Sequence, residues 1–428
     1  MEGIHPILVP VEPLNMTDII ESTKLKEKSY LSVLESLRKI GIFPCKRVTN
    51  EESGMISLEP TNCKLQLLFY CIAYSILSSA STLSMILIQH VVGSNLNILD
   101  FLIEFYKVGV GLHHSKFDLN LQGFFILFAG IIHLIILISL VAAKQDLCNV
   151  FNYLKCNIVD NLIMTKFVKK HCDWHLIKMG FCFVSFICFL TGFAMNNINH
   201  FNFNIWTISP ILICWSFFNG WFLAPVMAFH IYFLEISLML VPWSWSLKNR
   251  LNESPSNYHL LEEAKKVLTS LEMISKTISK IIFWLFTLVL VATIICTYIM
   301  VAFFLTQEEF TLPVILNMLG YGGVVSLYFK FAYGYCVFTQ DIKEIIHSIK
   351  RAILDLDINS DDILTLNGKP VRAKHWQKRI ASGFEEFQGF HGNNYFVLGK
   401  PLLTSITANF ITYLIILVQF KVSELSVK

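Results

Sequence analysis

Few residues in this chain have the types and spacing that chemistry requires. Asp355, Asp357, Asn359, Ser360 and Asp361 alternate like the opening of a calcium-binding loop, where oxygens at every second position surround the ion. Such a loop needs Gly at its sixth position and a bidentate Glu at its twelfth. Ser360 and Leu366 stand there instead, so a solvated acidic turn leading to Asn367-Gly368 is the expectation. His171, Cys172 and His175 have the spacing to share one helical face toward zinc, but a closed site takes four ligands and no second cluster supplies the rest. Gly320-Tyr321-Gly322 is similar to a potassium-channel carbonyl filter, yet a filter needs a re-entrant helix before it, and segment 307–311 has no room for one. Close helix packing is the expected use of these small residues. Ser/His/Asp arrangements, Gly-rich phosphate loops and paired metal carboxylates are absent as motifs, so no enzyme activity, metal or cofactor is expected.

The remaining candidate is a stripe. In the apolar stretch 400–420, Ser405, Asn409, Thr412 and Gln419 fall on one helical face, with Ile416 filling the gap between them. Such a face must meet protein or water. Periodicity leaves two explanations open: hydrogen bonds to neighbouring spans, or an aqueous path built from several copies of this helix.

The elements that must position the stripe follow from composition. Of the 428 residues 54% are hydrophobic and 15% charged, against ~25% charged in an ordinary soluble domain. Long uncharged runs predict seven spans: 65–90, 119–143, 177–195, 206–240, 281–306, 312–338 and 401–420. The fourth is longer than a bilayer needs and is expected to continue as helix into water. Lys and Arg alternate between the connecting segments: 8 in 1–64, 2 in 91–118, 6 in 144–178, none in 196–205, 6 in 241–280, none in 307–311, 9 in 339–400 and 2 in 421–428. One side thus holds 29 and the other 4, which predicts a cytosolic amino terminus and an extracellular carboxyl terminus. The expected fold is an all-α polytopic membrane protein with a helical intracellular anchor region. Four parts are expected: a cytosolic segment 1–64, a six-span ligand-binding domain 65–338 with intracellular helix extensions, a cytosolic anchor 339–400, and a pore-lining helix with a short outer tail, 401–428. In the anchor, Ile342, Ile345, Ile346, Ile349, Ile353 and Leu356 form one apolar stripe and Trp376, Ile380, Phe384 and Phe387 another. These predict helices packed on one another below the membrane. A net charge of +3 gives no reason to expect a nucleic-acid partner.

The end of the chain carries a resemblance. Thr412-Tyr413-Leu414-Ile415-Ile416-Leu417-Val418-Gln419-Phe420 resembles the TYhhhhhQF signature that closes arthropod gustatory receptors, and Tyr395 to Leu403 resembles the segment leading into it. That family implies a tastant-gated, non-selective cation channel in the plasma membrane of chemosensory neurons. It is a homo- or heterotetramer among membrane lipids, with the last span of each subunit around a shared pore. The resemblance places Gln419 and Phe420 at the gate, and has Thr412 and Tyr413 fix the helix against its neighbours. An odorant-receptor-type channel shares the architecture and is the nearest alternative. A seven-span transporter lacks its repeat-related halves here, and a G-protein-coupled receptor has the opposite orientation. The outer halves of the spans offer Gln122, Trp206, Trp215, Tyr298, Asn317 and Tyr321, ring faces and hydrogen-bonding groups that suit a sugar or a bitter compound.

Overall fold

The computed structural model describes residues 33–39, 42–49, 56–61, 116–157, 205–253, 259–306, 311–358, 363–366 and 369–426, with single positions at 72 and between 184 and 199. The described long apolar runs fold as helices, with two short amphipathic ones between them: α1 Lys116–Ala142, the short α2 Lys144–Asn157, α3 Ile205–Glu253, α4 His259–Thr306, α5 Leu312–Leu354, the short α6 Ala373–Glu386 and α7 Lys400–Ser426. Four of these contain a stretch long and apolar enough to cross a membrane, and α1 with α2 makes a fifth if that bent pair is one span. The molecule is a helical polytopic membrane protein. The expected first span and most of the third lie outside the described residues; Ile72 and the described positions from Val184 to Met195 are helical.

Length explains the architecture. At 1.5 Å per residue, α3 with its 49 residues is ~74 Å long, whereas a ~30 Å hydrocarbon core takes only ~20 of them. α3, α4 and α5 are all longer than a bilayer needs, so three uninterrupted helices join the span-length apolar stretches to the segments beyond them. The bend at Ala143 has a different result. There the chain turns by 61° into α2, whose Leu147, Cys148, Val150, Phe151 and Leu154 are buried against the bundle.

The anchor stripes pack as their periodicity predicts. Ile342, Ile346, Ile349, Ile353 and Leu356 are buried, as are Trp376, Ile380 and Phe384 of α6. Helices lying on lipid headgroups would leave those faces uncovered in the protein. Gln377 Nε2 donates to the carbonyls of Ile353 at 2.6 Å and Leu356 at 3.1 Å, which satisfies backbone oxygens that the end of α5 leaves open. Lys265 Nζ lies 4.7 Å above the Trp376 ring.

Among the described residues three two-stranded antiparallel pairs accompany the helices, and periodicity gave no sign of the first. β1 (Cys45–Thr49) pairs antiparallel with β2 (Ile56–Pro60) and docks on α2. Asn152 reads both backbone groups of Leu58: Leu58 N–H donates to Asn152 Oδ1 at 2.8 Å and Asn152 Nδ2 donates to Leu58 O at 2.9 Å. β3 (Ile363–Leu366) pairs with β4 (Lys369–Arg372), Leu366 opposite Lys369; the expected turn at Asn367-Gly368 lies outside the described residues. β5 (His391–Gly392) and β6 (Phe396–Val397) form the third, immediately before α7.

Candidate pore helix and its supports

The buried face of α7 is narrow. Along it Ile406 and Lys421 are buried, and Leu403, Phe410, Leu414 and Leu417 are half-buried. These positions recur every three or four residues and form the seam on which α7 leans against its own subunit. Ser405, Asn409, Thr412, Ile416 and Gln419 are all exposed. At 100° per residue the centre of this polar stripe lies about 140° around the helix from the centre of the seam. Among the described residues the first of the two explanations therefore fails within one subunit: the stripe turns away from the described neighbouring spans. Thr412 Oγ1 donates to Ala408 O at 3.0 Å, so that hydroxyl is satisfied within the helix. Tyr413 is 53% exposed and Phe420 61%, and both stand between seam and stripe. Contacts that fix the helix through Thr412 or Tyr413 must come from outside the subunit.

The inner end of α7 is differently held. Pro401 stands in its first turn, where a missing N–H costs nothing. Leu402 and Leu403 N–H both turn back to Gly399 O, at 3.1 and 3.4 Å. Beside it, burial and the neighbouring Glu344 raise the Asp341 carboxyl above its ordinary range, while Lys400 opposes them. Burial also lowers the Lys343 ammonium. The Lys343 stem crosses Gly389, whose φ of +117° suits only glycine.

The ligand candidates divide. Tyr298 and Asn317 are buried, at 1% and 0% exposure, and Tyr321 is half-buried. Gln122 lies on α1, and Trp206 and Trp215 on α3, but their side chains lie outside the described ones. Asn317 stands at a tight helix crossing: a Cβ on Gly192 would sit 2.7 Å from Pro313 O and 2.8 Å from Asn317 Oδ1. Gly192→Ala must push backbone apart, and we expect about 1–3 kcal/mol of overpacking, read as a lower melting temperature and reduced surface labelling. An unchanged melting temperature and normal surface labelling would remove the packing role.

Gly320-Tyr321-Gly322 is helical, within α5, and a Cβ on Gly322 would lie 3.5 Å from Met300 Cε, so packing rather than a carbonyl filter is what these residues serve. Among the described residues no group of three metal-ligating side chains occurs; His171, Cys172, His175, Asn359, Ser360 and Asp361 lie outside them.

Two histidines, His133 buried and His230 half-buried, were not singled out by the sequence pattern. His133 on α1 is 2% exposed; its Nδ1 bonds Ala129 O at 2.6 Å and its Nε2 lies 3.5 Å from the Tyr328 hydroxyl on α5. His230 on α3 bonds the Tyr335 hydroxyl at 3.0 Å, with its ring 4.3 Å from that of Phe331. Each ties an outer helix to α5 through a polar pair in an apolar interior. The available signal was an imidazole inside an apolar run.

No protein-family model and no curated protein matches the chain. Solved structures do. The insect olfactory receptor OR5 from Machilis hrabei in complex with eugenol aligns with a TM-score of 0.64 at 14% identity, covering 92% of this chain and 98% of the receptor. The structure of OR5 described without that ligand gives 0.61 at 14% identity, covering 92% and 99%. The chain thus has the fold of an insect olfactory receptor over nearly its full length.

Proposed function

We propose that this chain is one subunit of a ligand-gated, non-selective cation channel of the insect chemoreceptor kind. Four copies, identical or related, turn the polar face of α7 toward a common axis in the plasma membrane of chemosensory neurons. One observation carries this reading: the polar stripe lies opposite the seam that α7 makes with its own subunit, and a single helix cannot enclose water. Around a symmetry axis the same stripe becomes a continuous wet lining. Gln419 and Phe420 are the gate residues, and the Thr412 to Phe420 signature favours a tastant, a sugar or bitter compound, as the ligand. The fold shared with an olfactory receptor supports a second reading, an odorant-type channel opened by a small volatile.

Oocytes expressing the full chain test both. Currents evoked by sucrose, fructose, caffeine or quinine support the gustatory reading, and currents evoked by eugenol alone support the odorant one. Cysteines introduced one at a time on α7 test the pore face with a charged thiol reagent applied outside. We expect block at positions 412, 416 and 419 and none at 414 or 417. Uniform protection at all five would defeat the shared pore.

A further inference from the structure

The firmest hold on α7 is at its inner end. Residues 407–420 include none that is buried, so along most of its span the helix is only lightly held by its own subunit. Before α7, the β5–β6 hairpin reverses the chain in three residues. Asn393 and Asn394 take the left-handed conformation at φ 48° and 63°, which Asn tolerates best after Gly. The hairpin is clipped to α4 at several points. Asn393 N–H donates to Ser279 Oγ at 2.9 Å. The Tyr395 ring lies 5.1 Å from Phe283, and Phe396 lies 5.5 Å from Phe286. Gly392 leaves room for the Phe396 ring, which a Cβ there would meet at 2.3 Å. Leu398, fully buried, closes the hairpin by donating to Phe390 O at 2.8 Å, and α7 begins two residues later.

We propose that Ser279, Phe283 and Phe286 of α4 clasp Asn393, Tyr395 and Phe396 as one joint, which sets the angle of the pore helix and couples α4 to the gate. These are positioning residues: none belongs to the polar stripe. The connection is short and rigid, because two residues separate the last strand from the helix and both flanks are packed. α4 is unbroken from this joint to Tyr298, nineteen residues or ~28 Å further along, so a tilt imposed at either end is felt at the other. The inference rests on the channel reading proposed above.

Single-channel recording of the full-length protein in planar lipid bilayers, with no ligand added, tests it. Phe283→Ala, Tyr395→Ala and Ser279→Ala are each expected to change spontaneous open probability by about fivefold or more, the scale of one lost hydrogen bond or ring contact. Unitary conductance should be unchanged, since the lining is untouched. Ser279→Thr keeps the hydroxyl and should restore the original value. The double variant Phe283→Ala/Tyr395→Ala should resemble Phe283→Ala alone, because that substitution already removes the contact with Tyr395. Open probability within twofold of the unsubstituted channel in all three variants overturns the clasp, as does a changed unitary conductance. A protein that stays silent both unsubstituted and with Phe420→Ala instead overturns the channel reading itself, which separates the two failures.

Discussion

Phe420→Ala should pass cation current with no ligand present. The ring is 61% exposed on an isolated subunit, six residues before α7 ends at Ser426, so in an assembly it is available to meet its copies at the outer mouth. Burying one Phe side chain stabilises a closed constriction by about 1.5–3 kcal/mol, and each 1.4 kcal/mol is about tenfold in an equilibrium. Losing even one ring's contact shifts the balance toward the open state by more than tenfold, and four subunits lose four. The measurement is ligand-free holding current under voltage clamp, normalised to surface protein. A holding current equal to that of the unsubstituted channel at normal surface level would place the gate elsewhere. Gln419→Ala should change unitary conductance or reversal potential with little effect on expression, because the side chain is exposed and supports no packing.

Asn409→Leu should reduce unitary conductance by about tenfold or more while leaving surface expression intact. Asn409 is the second residue of the polar stripe, eleven residues and ~16 Å deeper than Phe420. Four Leu side chains there would form an apolar ring in the wet path, and such a ring blocks ions by dewetting. The contrasting variant is Leu414→Asn, on the half-buried seam, where a new polar group must be desolvated against apolar neighbours. That substitution should reduce assembly and surface level instead. If the two variants exchange phenotypes, the stripe is the buried face and the seam the wet one.

The sequence by itself determined the helices and their faces, because apolar run length and 3.6-residue periodicity are local quantities. The continuation of the fourth run as helix to Glu253, the uninterrupted passage of 261–280 into the fifth apolar run and the burial of most of the two stripes in 342–387 are all present as read. Helix ends at Thr306 and Leu312 and the bend after Ala142 fall within a residue or so of the expected span limits. The polar stripe on 405–419 was equally legible. Its meaning was not, since periodicity gives the angle between residues but not the direction in which any of them points. Only the packed helix decides that, by showing that Leu403, Ile406 and Leu414 face the subunit and the stripe faces away. The same holds for His133 with Tyr328, His230 with Tyr335 and Ser279 with Asn393, pairs separated by 195, 105 and 114 residues. Side-chain contacts at such separations are created when long helices pack, and no local pattern along the chain encodes which residues will meet.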